Sequence, residues 1–292
     1  MPRLAYVDRR VMPLAHAAVS VEDRGHQFAD AVYEVCAVLN GRLFDWPQHR
    51  ARLFANLAAL GIAAPMSGAA LDAQVRRLIA ANRAHEALLY IQVSRGAGKR
   101  DHLFGPSLAP TLTMTVRRFD FAGRAALQAK GVAVASVRDL RWGRCDLKTV
   151  GLLANVLAKA DARAAGAAEA WLVDDDGTVA EGASTNAWLV EGGGLVTPPL
   201  SPRLLPGIMR ATVLRLAAQA QIATTERDFT LAEAQGANEA FLTSTTMPVV
   251  GVVALDGARI GGGAPGPVTR RLGALVWDEI ARQTGYRLSV AA

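Results

Sequence analysis

Alternation of apolar and polar positions marks the first clear element. Over residues 31–37, Val32, Glu34 and Cys36 fall on one face and Tyr33, Val35 and Ala37 on the other, the period of a strand. Asn40-Gly41 signals a hairpin with a return strand at Arg42-Leu43-Phe44, and residues 4–12 suggest another hairpin. Residues 47–60 predict a helix, with Pro47 suited to its first turn and Gly61 to its C-cap. A second helix is expected over 69–83, and strands over 88–94 and 111–118. Further on, strands are expected at 132–137, 169–173, 187–190 and 239–243. A helix should open at Leu204-Leu205-Pro206-Gly207-Ile208-Met209-Arg210 and run to about 219. Asp256-Gly257 marks a hairpin, and 267–284 a closing amphipathic helix. Asp174-Asp175-Asp176-Gly177 lacks the later glutamate of a calcium loop and is predicted as a turn.

The most informative stretch follows the strand at 132–137. Arg141-Trp142-Gly143-Arg144-Cys145-Asp146-Leu147-Lys148 leads into a helical pattern with apolar residues at 152, 153, 156 and 157. Lys148 therefore falls at a strand-to-helix junction beside Leu147 and Val150. Apolar surroundings disfavour an ammonium group, and a neutral lysine amine forms Schiff bases with carbonyl cofactors. The chain has four lysines. Lys99 lies in a charged, glycine-rich loop, Lys130 at an expected helix end where a cation suits the dipole, and Lys159 on a polar helix face. Lys148 is the candidate for holding a carbonyl group. A structural pairing with Asp146 or Glu181 is the alternative reading.

Composition narrows the class. Half of the 292 residues are apolar (51%), ample for one large or two modest domains. No apolar run reaches the ~18–20 residues of a membrane span, and residues 8–10 place three charges where a signal peptide would be apolar. Cys36 and Cys145 have neither metal nor redox spacing and are expected to be reduced and buried. A cytoplasmic protein without a metal site is the expectation. The net charge of +6 comes from scattered arginines without a basic stripe, so small anionic substrates fit better than nucleic acid. Residues 95–106 hold much charge and little that could pack, the pattern of a solvated turn.

Several segments together resemble one family. They are Glu22-Asp23-Arg24-Gly25, Phe28-Ala29-Asp30-Ala31-Val32-Tyr33-Glu34-Val35, Arg100-Asp101-His102, Arg144-Cys145-Asp146-Leu147-Lys148, Glu181-Gly182-Ala183-Ser184-Thr185-Asn186 and Thr243-Ser244-Thr245-Thr246. In this order, from about Tyr6 to Trp277, they resemble the fold-type IV pyridoxal 5'-phosphate enzymes, and within them the D-amino-acid aminotransferases. The resemblance implies an α+β fold. A small N-terminal α/β domain (1–118) would be joined by a linker (119–123) to a larger β-barrel-like cofactor domain with helices (124–292).

It also implies roles. Lys148 would hold pyridoxal 5'-phosphate as a Schiff base and act as the catalytic base. Glu181 would pair with the pyridine nitrogen and keep it protonated. Arg52, Gly207, Ile208, Met209, Ser244 and Thr245 would hold the phosphate, and Leu205 would pack on the ring. Tyr33, Arg100 and His102 would take the substrate's α-carboxylate. In the family the Arg-x-His loop comes from the neighbouring subunit, which implies a homodimer. A solvated turn thereby becomes an expected carboxylate trap. The expected reaction is ping-pong transfer of nitrogen from a D-amino acid such as D-alanine to a 2-oxo acid such as 2-oxoglutarate. Branched-chain L-amino-acid aminotransferases and aminodeoxychorismate lyases are the related alternatives. A non-enzymatic binding protein on the same scaffold is disfavoured by the presence of both Lys148 and Glu181. Ala29 and Ala31 stand where the family often has glycine. Met209 replaces a frequent hydroxyl, leaving only its backbone N–H for phosphate.

Overall fold

The computed structural model describes residues 3–105 and 108–288; Pro106, at the end of the charged loop, lies outside them. The chain forms two compact units. One comprises the chain to Asp120 with Leu147–Gly151 and Gln283–Tyr286, the other Phe121–Asp146 with Leu152–Arg282 and the chain from Arg287.

The first unit contains strands β1 (Leu4–Val7) and β2 (Arg10–Pro13), helix α1 (Arg24–Phe28), strands β3 (Ala31–Leu39) and β4 (Arg42–Leu43), helices α2 (Trp46–Ala59) and α3 (Gly68–Ala81), and strands β5 (Glu86–Ser94) and β6 (Thr111–Arg118). The strands form one antiparallel sheet in the order β2-β1-β6-β5-β3-β4. The alternation over 31–37 is realised. Val32, Cys36 and Val38 are fully buried and join Leu89, Ile91 and Val93 of β5 under Leu53 and Leu57 of α2 and Leu71, Val75 and Leu78 of α3. Helix α1 departs from the sequence reading, being too short to show a helical period. Asp23 caps it, its Oδ1 accepting from Gly25 N at 2.8 Å, and Ala29 ends it at φ 56°. That left-handed turn is one that favours glycine.

The second unit contains α4 (Phe121–Lys130), β7 (Val132–Arg138), α5 (Leu153–Ala164), β8 (Glu169–Val173), β9 (Val179–Gly182), β10 (Asn186–Glu191), β11 (Gly194–Thr197), α6 (Ile208–Gln219), β12 (Thr224–Glu226), α7 (Leu231–Gly236), β13 (Glu239–Thr243), β14 (Val250–Leu255), β15 (Ala258–Arg259) and α8 (Pro267–Thr284). Phe121, inside the stretch 119–123 read as a linker, opens α4 and is buried. The sheet runs β12-β11-β10-β13-β14-β7-β8-β9, with β15 on β14. At its far end β9 turns directly into β10, Gly182 N–H donating to Thr185 O at 2.7 Å. The strand order thus returns to its own middle and the sheet curls into a barrel-like form around Val134, Trp171, Leu189, Leu242 and Val252. Lys130 ends α4, as its place before Gly131 predicts.

Helix α5 carries a surprise. Its amphipathic pattern is present, but small Ala158 and Ala162 face the sheet, packing with Ala135, Ala170 and Leu172. Leu153, Val156 and Leu157 are 71%, 59% and 55% exposed. Polar anchors hold this orientation: Asn155 Nδ2 donates to Ala183 O at 2.8 Å, and Lys159 Nζ lies 3.1 Å from Glu169 Oε1.

Candidate active site

Lys148 is positioned by backbone pairing. The N-terminal end of β3 has β5 on one side, and on the other it takes the segment Leu147–Gly151. Tyr33 N–H donates to Lys148 O at 3.0 Å, Val150 N–H to Ala31 O at 3.2 Å, and Val32 faces Thr149 across an antiparallel bridge. The helix then begins at Leu153, where the apolar spacing places it. The side chains follow the pairing. Lys148 Nζ lies 3.3 Å from Tyr33 Oη and 4.3 Å from the centre of the Tyr33 ring. The alternative structural pairing is not formed. Asp146 binds Arg144 at 2.9 Å, Glu181 binds Arg141, and Lys148 has no carboxylate partner among the described residues. A half-buried amine against a phenol, without an acid, suits a carbonyl ligand. Tyr90 stacks on Tyr33 with ring centres 5.6 Å apart. Burial pushes the Tyr90 phenol up to about 12, so it stays a neutral hydroxyl.

Alternation along β3 sends Glu34 to the opposite, buried face, under α2. Its carboxylate receives Arg52 Nε at 2.7 Å, Arg52 Nη2 at 2.8 Å and His49 Nδ1 at 2.6 Å. Arg52 and His49 lie three apart on α2 and so share a face. Burial raises the Glu34 carboxyl, but the bonds from Arg52 and His49 outweigh it and hold it down to about 2. Glu34, Cys36 and His49 lie close enough to ligate a cation, yet the guanidinium of Arg52 bridges both oxygens of Glu34. The fixed cation in this cluster is Arg52 itself. Cys36 is fully buried and its thiol is pushed up by burial. Cys145 is only half-buried, which corrects the expectation that both thiols are buried.

Arg100 and His102 sit on an exposed loop, both near Phe28. The Arg100 guanidinium is 5.2 Å from the Phe28 ring centre and the His102 ring 5.6 Å away. Among the described residues, no hydrogen bond or ion pair joins either to Tyr33 or Lys148.

In the second unit, Glu181 on β9 is 5% exposed. Oε1 accepts from Arg141 Nη1 at 2.5 Å, Oε2 from Asn186 Nδ2 at 3.1 Å, and Leu205 N–H lies 3.2 Å from both. Arg141 is clamped in turn by Asp139, with Nη2 to Oδ2 at 2.7 Å, and by Arg203 O at 2.8 Å. Burial lowers the proton affinity of Arg141, but Asp139 and Glu181 more than offset it and push it up. This fixed positive charge favours the ionised form of Glu181. Asn186 Nδ2 also donates to Leu205 O at 3.0 Å, tying the segment before α6 to β10. Gly207 caps α6 without a side-chain bond. A Cβ there would collide with Asn186 Oδ1, so the close approach requires glycine. Met209 is 5% exposed with its side chain in the core. At the end of β13, Ser244 Oγ accepts from Met247 N–H at 3.0 Å, and the Thr245 hydroxyl has no hydrogen-bond partner among the described residues.

Sequence reading missed Asp139 and Arg141 behind Glu181, and Glu34 and His49 behind Arg52. Arg141 stood inside the quoted Arg-Trp-Gly-Arg run, but nothing in its spacing points to a residue 40 positions away. The Glu34 and His49 pair was in principle readable. An acid on the apolar face of a buried strand needs a partner, and the following helix supplies two basic residues on one face.

This arrangement finds its class by comparison. Residues 31–255 match the class IV amino-transferase family, and the chain belongs to that family, whose members are pyridoxal-phosphate-dependent aminotransferases. A D-alanine aminotransferase of Bacillus licheniformis is 38% identical over 275 residues, 94% of this chain and 96% of the relative. One from Listeria innocua is 34% identical over 282 residues, 96% of each. Among solved structures, a branched-chain amino acid aminotransferase from Thermobaculum terrenum in its PLP form aligns with a TM-score of 0.84 at 21% identity, covering 98% of this chain and 96% of that one. At that identity the match speaks for the fold alone.

Proposed function

We propose that this protein transfers nitrogen from D-amino acids resembling D-alanine to a 2-oxo acid such as 2-oxoglutarate. The observation that carries the proposal is the Lys148 amine, unpaired with any acid among the described residues and set against the Tyr33 phenol. The D-specific reading follows the D-alanine aminotransferases, which the chain matches nearly end to end.

Bound pyridoxal phosphate supplies a carbonyl that bonds amines and a ring that takes up an electron pair. The residues supply the rest. Lys148 Nζ would anchor the cofactor and would serve as the base for the proton on the substrate's Cα. Glu181, paired with Arg141, would accept a hydrogen bond from the ring nitrogen. Arg52, held by Glu34 and His49, would bind the phosphate, as would the backbone N–H groups at Gly207, Ile208 and Met209, where the helix dipole favours an anion. Ser244 and Thr245 would add hydroxyls, and Leu205 would pack on the ring. Tyr33, Arg100 and His102 receive the α-carboxylate.

The working form is a homodimer whose Arg100 and His102 loop serves the neighbouring subunit. The exposed stripe of Leu153, Val156 and Leu157 on α5 supports a covered face. A cytoplasmic location belongs to the same reading. Both cysteines are free, the state a reducing compartment maintains.

The test is a paired assay of D-alanine and L-leucine with 2-oxoglutarate, following the chirality of the amino acid consumed. Preference for L-leucine would move the protein to the branched-chain reading. Sedimentation at micromolar concentration tests the dimer.

A further inference from the structure

The segment Glu22-Asp23-Arg24-Gly25 has no part in the chemistry above, yet its arginine is 4% exposed. Its guanidinium is fully used. Nε donates to Asp30 Oδ2 at 2.9 Å, Nη1 to Asp101 O at 2.6 Å and Nη2 to His102 O at 3.3 Å. Those two carbonyls belong to the peptide planes on either side of His102. Holding both planes restrains the backbone torsions of His102 and hence the direction of its Cα–Cβ bond.

The support is layered. Asp30 also accepts Arg95 Nε at 2.7 Å and Nη2 at 3.0 Å, and Arg95 reaches Leu60 O and Gly61 O at 2.8 and 2.9 Å. Burial raises the Asp30 carboxyl, but the two arginines outweigh it and lower it. The Phe104 ring, at the far end of the loop, lies 3.7 Å from the Arg95 guanidinium. Phe28 is shared by Arg24 at 4.7 Å and Arg100 at 5.2 Å. Backbone bonds close the base of the loop, Arg24 N–H to Gly96 O and Gly98 N–H to Glu22 O. An exposed loop of charged residues is thus held by one buried cation from beneath and one aromatic ring from above.

We propose that Arg24 is a positioning residue for substrate selection, clamping the loop through Asp101 O and His102 O, with Phe104 on Arg95 as the second fastener, so that Arg100 and His102 meet a carboxylate in one geometry. The inference rests on the reading of Arg100 and His102 as the carboxylate site. The clamp is felt in substrate binding while proton transfer at Lys148 is untouched. Lysine at position 24 keeps the bond to Asp30 but cannot also reach both carbonyls, since a single ammonium lacks the guanidinium fork.

The experiment compares Arg24→Lys, Phe104→Ala and Arg100→Ala as holoenzymes. Steady-state kinetics use D-alanine and its uncharged amide, and limited trypsin cleavage after Lys99 and Arg100 is followed alongside. Arg24→Lys is expected to raise the KM for D-alanine about tenfold with kcat within about twofold, the pattern of lost uniform binding. The KM for D-alaninamide should hardly move, and cleavage should be several-fold faster. Phe104 is half exposed, so its truncation leaves the fold intact, and it should shift both readouts the same way by a smaller factor. If Arg24→Lys fails to fold, Phe104→Ala decides alone. Unchanged KM and unchanged cleavage in a folded variant overturn the clamp. An unchanged KM in Arg100→Ala overturns the carboxylate reading instead, and the cleavage rates still judge the clamp.

Discussion

Replacing Glu34 with glutamine probes the support beneath Arg52. The substitution keeps the shape of the side chain and removes its charge. Glu34 is completely buried and receives two bonds from Arg52 and one from His49, all at 2.6–2.8 Å. The carboxyl is held at about 2 against an ordinary 4.5. At 1.36 kcal/mol per pKa unit this corresponds to roughly 3 kcal/mol, the low end of the ~3–5 kcal/mol lost when one partner of a buried pair is removed. The sign follows from the depression. The stabilisation is complete above about 4.5, the unfolded value, and disappears as pH falls through about 2. Glu34→Gln should therefore lower the apo-protein's Tm by about 6–12 °C at pH 7, taking ~2–4 °C per kcal/mol for a unit of this size. At pH 3.5 the gap should shrink to about three-fifths of its neutral value. Thermal unfolding by circular dichroism at the two pH values reads both numbers, and a phosphate-dependent spectral titration with pyridoxal phosphate should show weaker binding. A Tm within 1–2 °C of the parent at pH 7, or a gap that does not depend on pH, would refute the account of this cluster.

Other outcomes follow from the same geometry. Lys148→Ala should abolish turnover and the yellow colour of the holoenzyme together; absorption spectra and a D-alanine assay read these, and retained activity would remove Lys148 from its role. Arg141→Met leaves Glu181 with weaker support and a higher proton affinity. The nitrogen-15 shift of labelled cofactor should then move toward the unprotonated ring, and an unchanged shift would sink that role. Gly207→Ala drives a methyl into Asn186. It should weaken cofactor binding by about tenfold or more, the order of 1–3 kcal/mol of overpacking strain, measured by dialysis and re-titration. Thr230 forms a full capping box with Glu233 at the start of α7. Thr230→Ala should cost about 1 kcal/mol of stability in denaturant titration without changing KM.

Local pattern carried a good deal of this protein. The alternation that buries Val32 and Cys36, the Asn40-Gly41 hairpin, helices α2, α3, α6 and α8, and Lys148 as the candidate nucleophile were all legible, because period, turn chemistry and elimination among four lysines depend on neighbours in the chain. Tertiary structure decided the rest. The segment Leu147–Gly151 lies along β3 because Ala31 and Tyr33, far back in the chain, pair with Val150 and Lys148. Leu153, Val156 and Leu157 turned outward because alanines fit the sheet more closely. Arg141 behind Glu181, Glu34 behind Arg52 and Arg24 beneath His102 were invisible in the chain order. Each pairing joins charges that only folding brings within reach, and a buried charge is tolerated only where such a partner arrives.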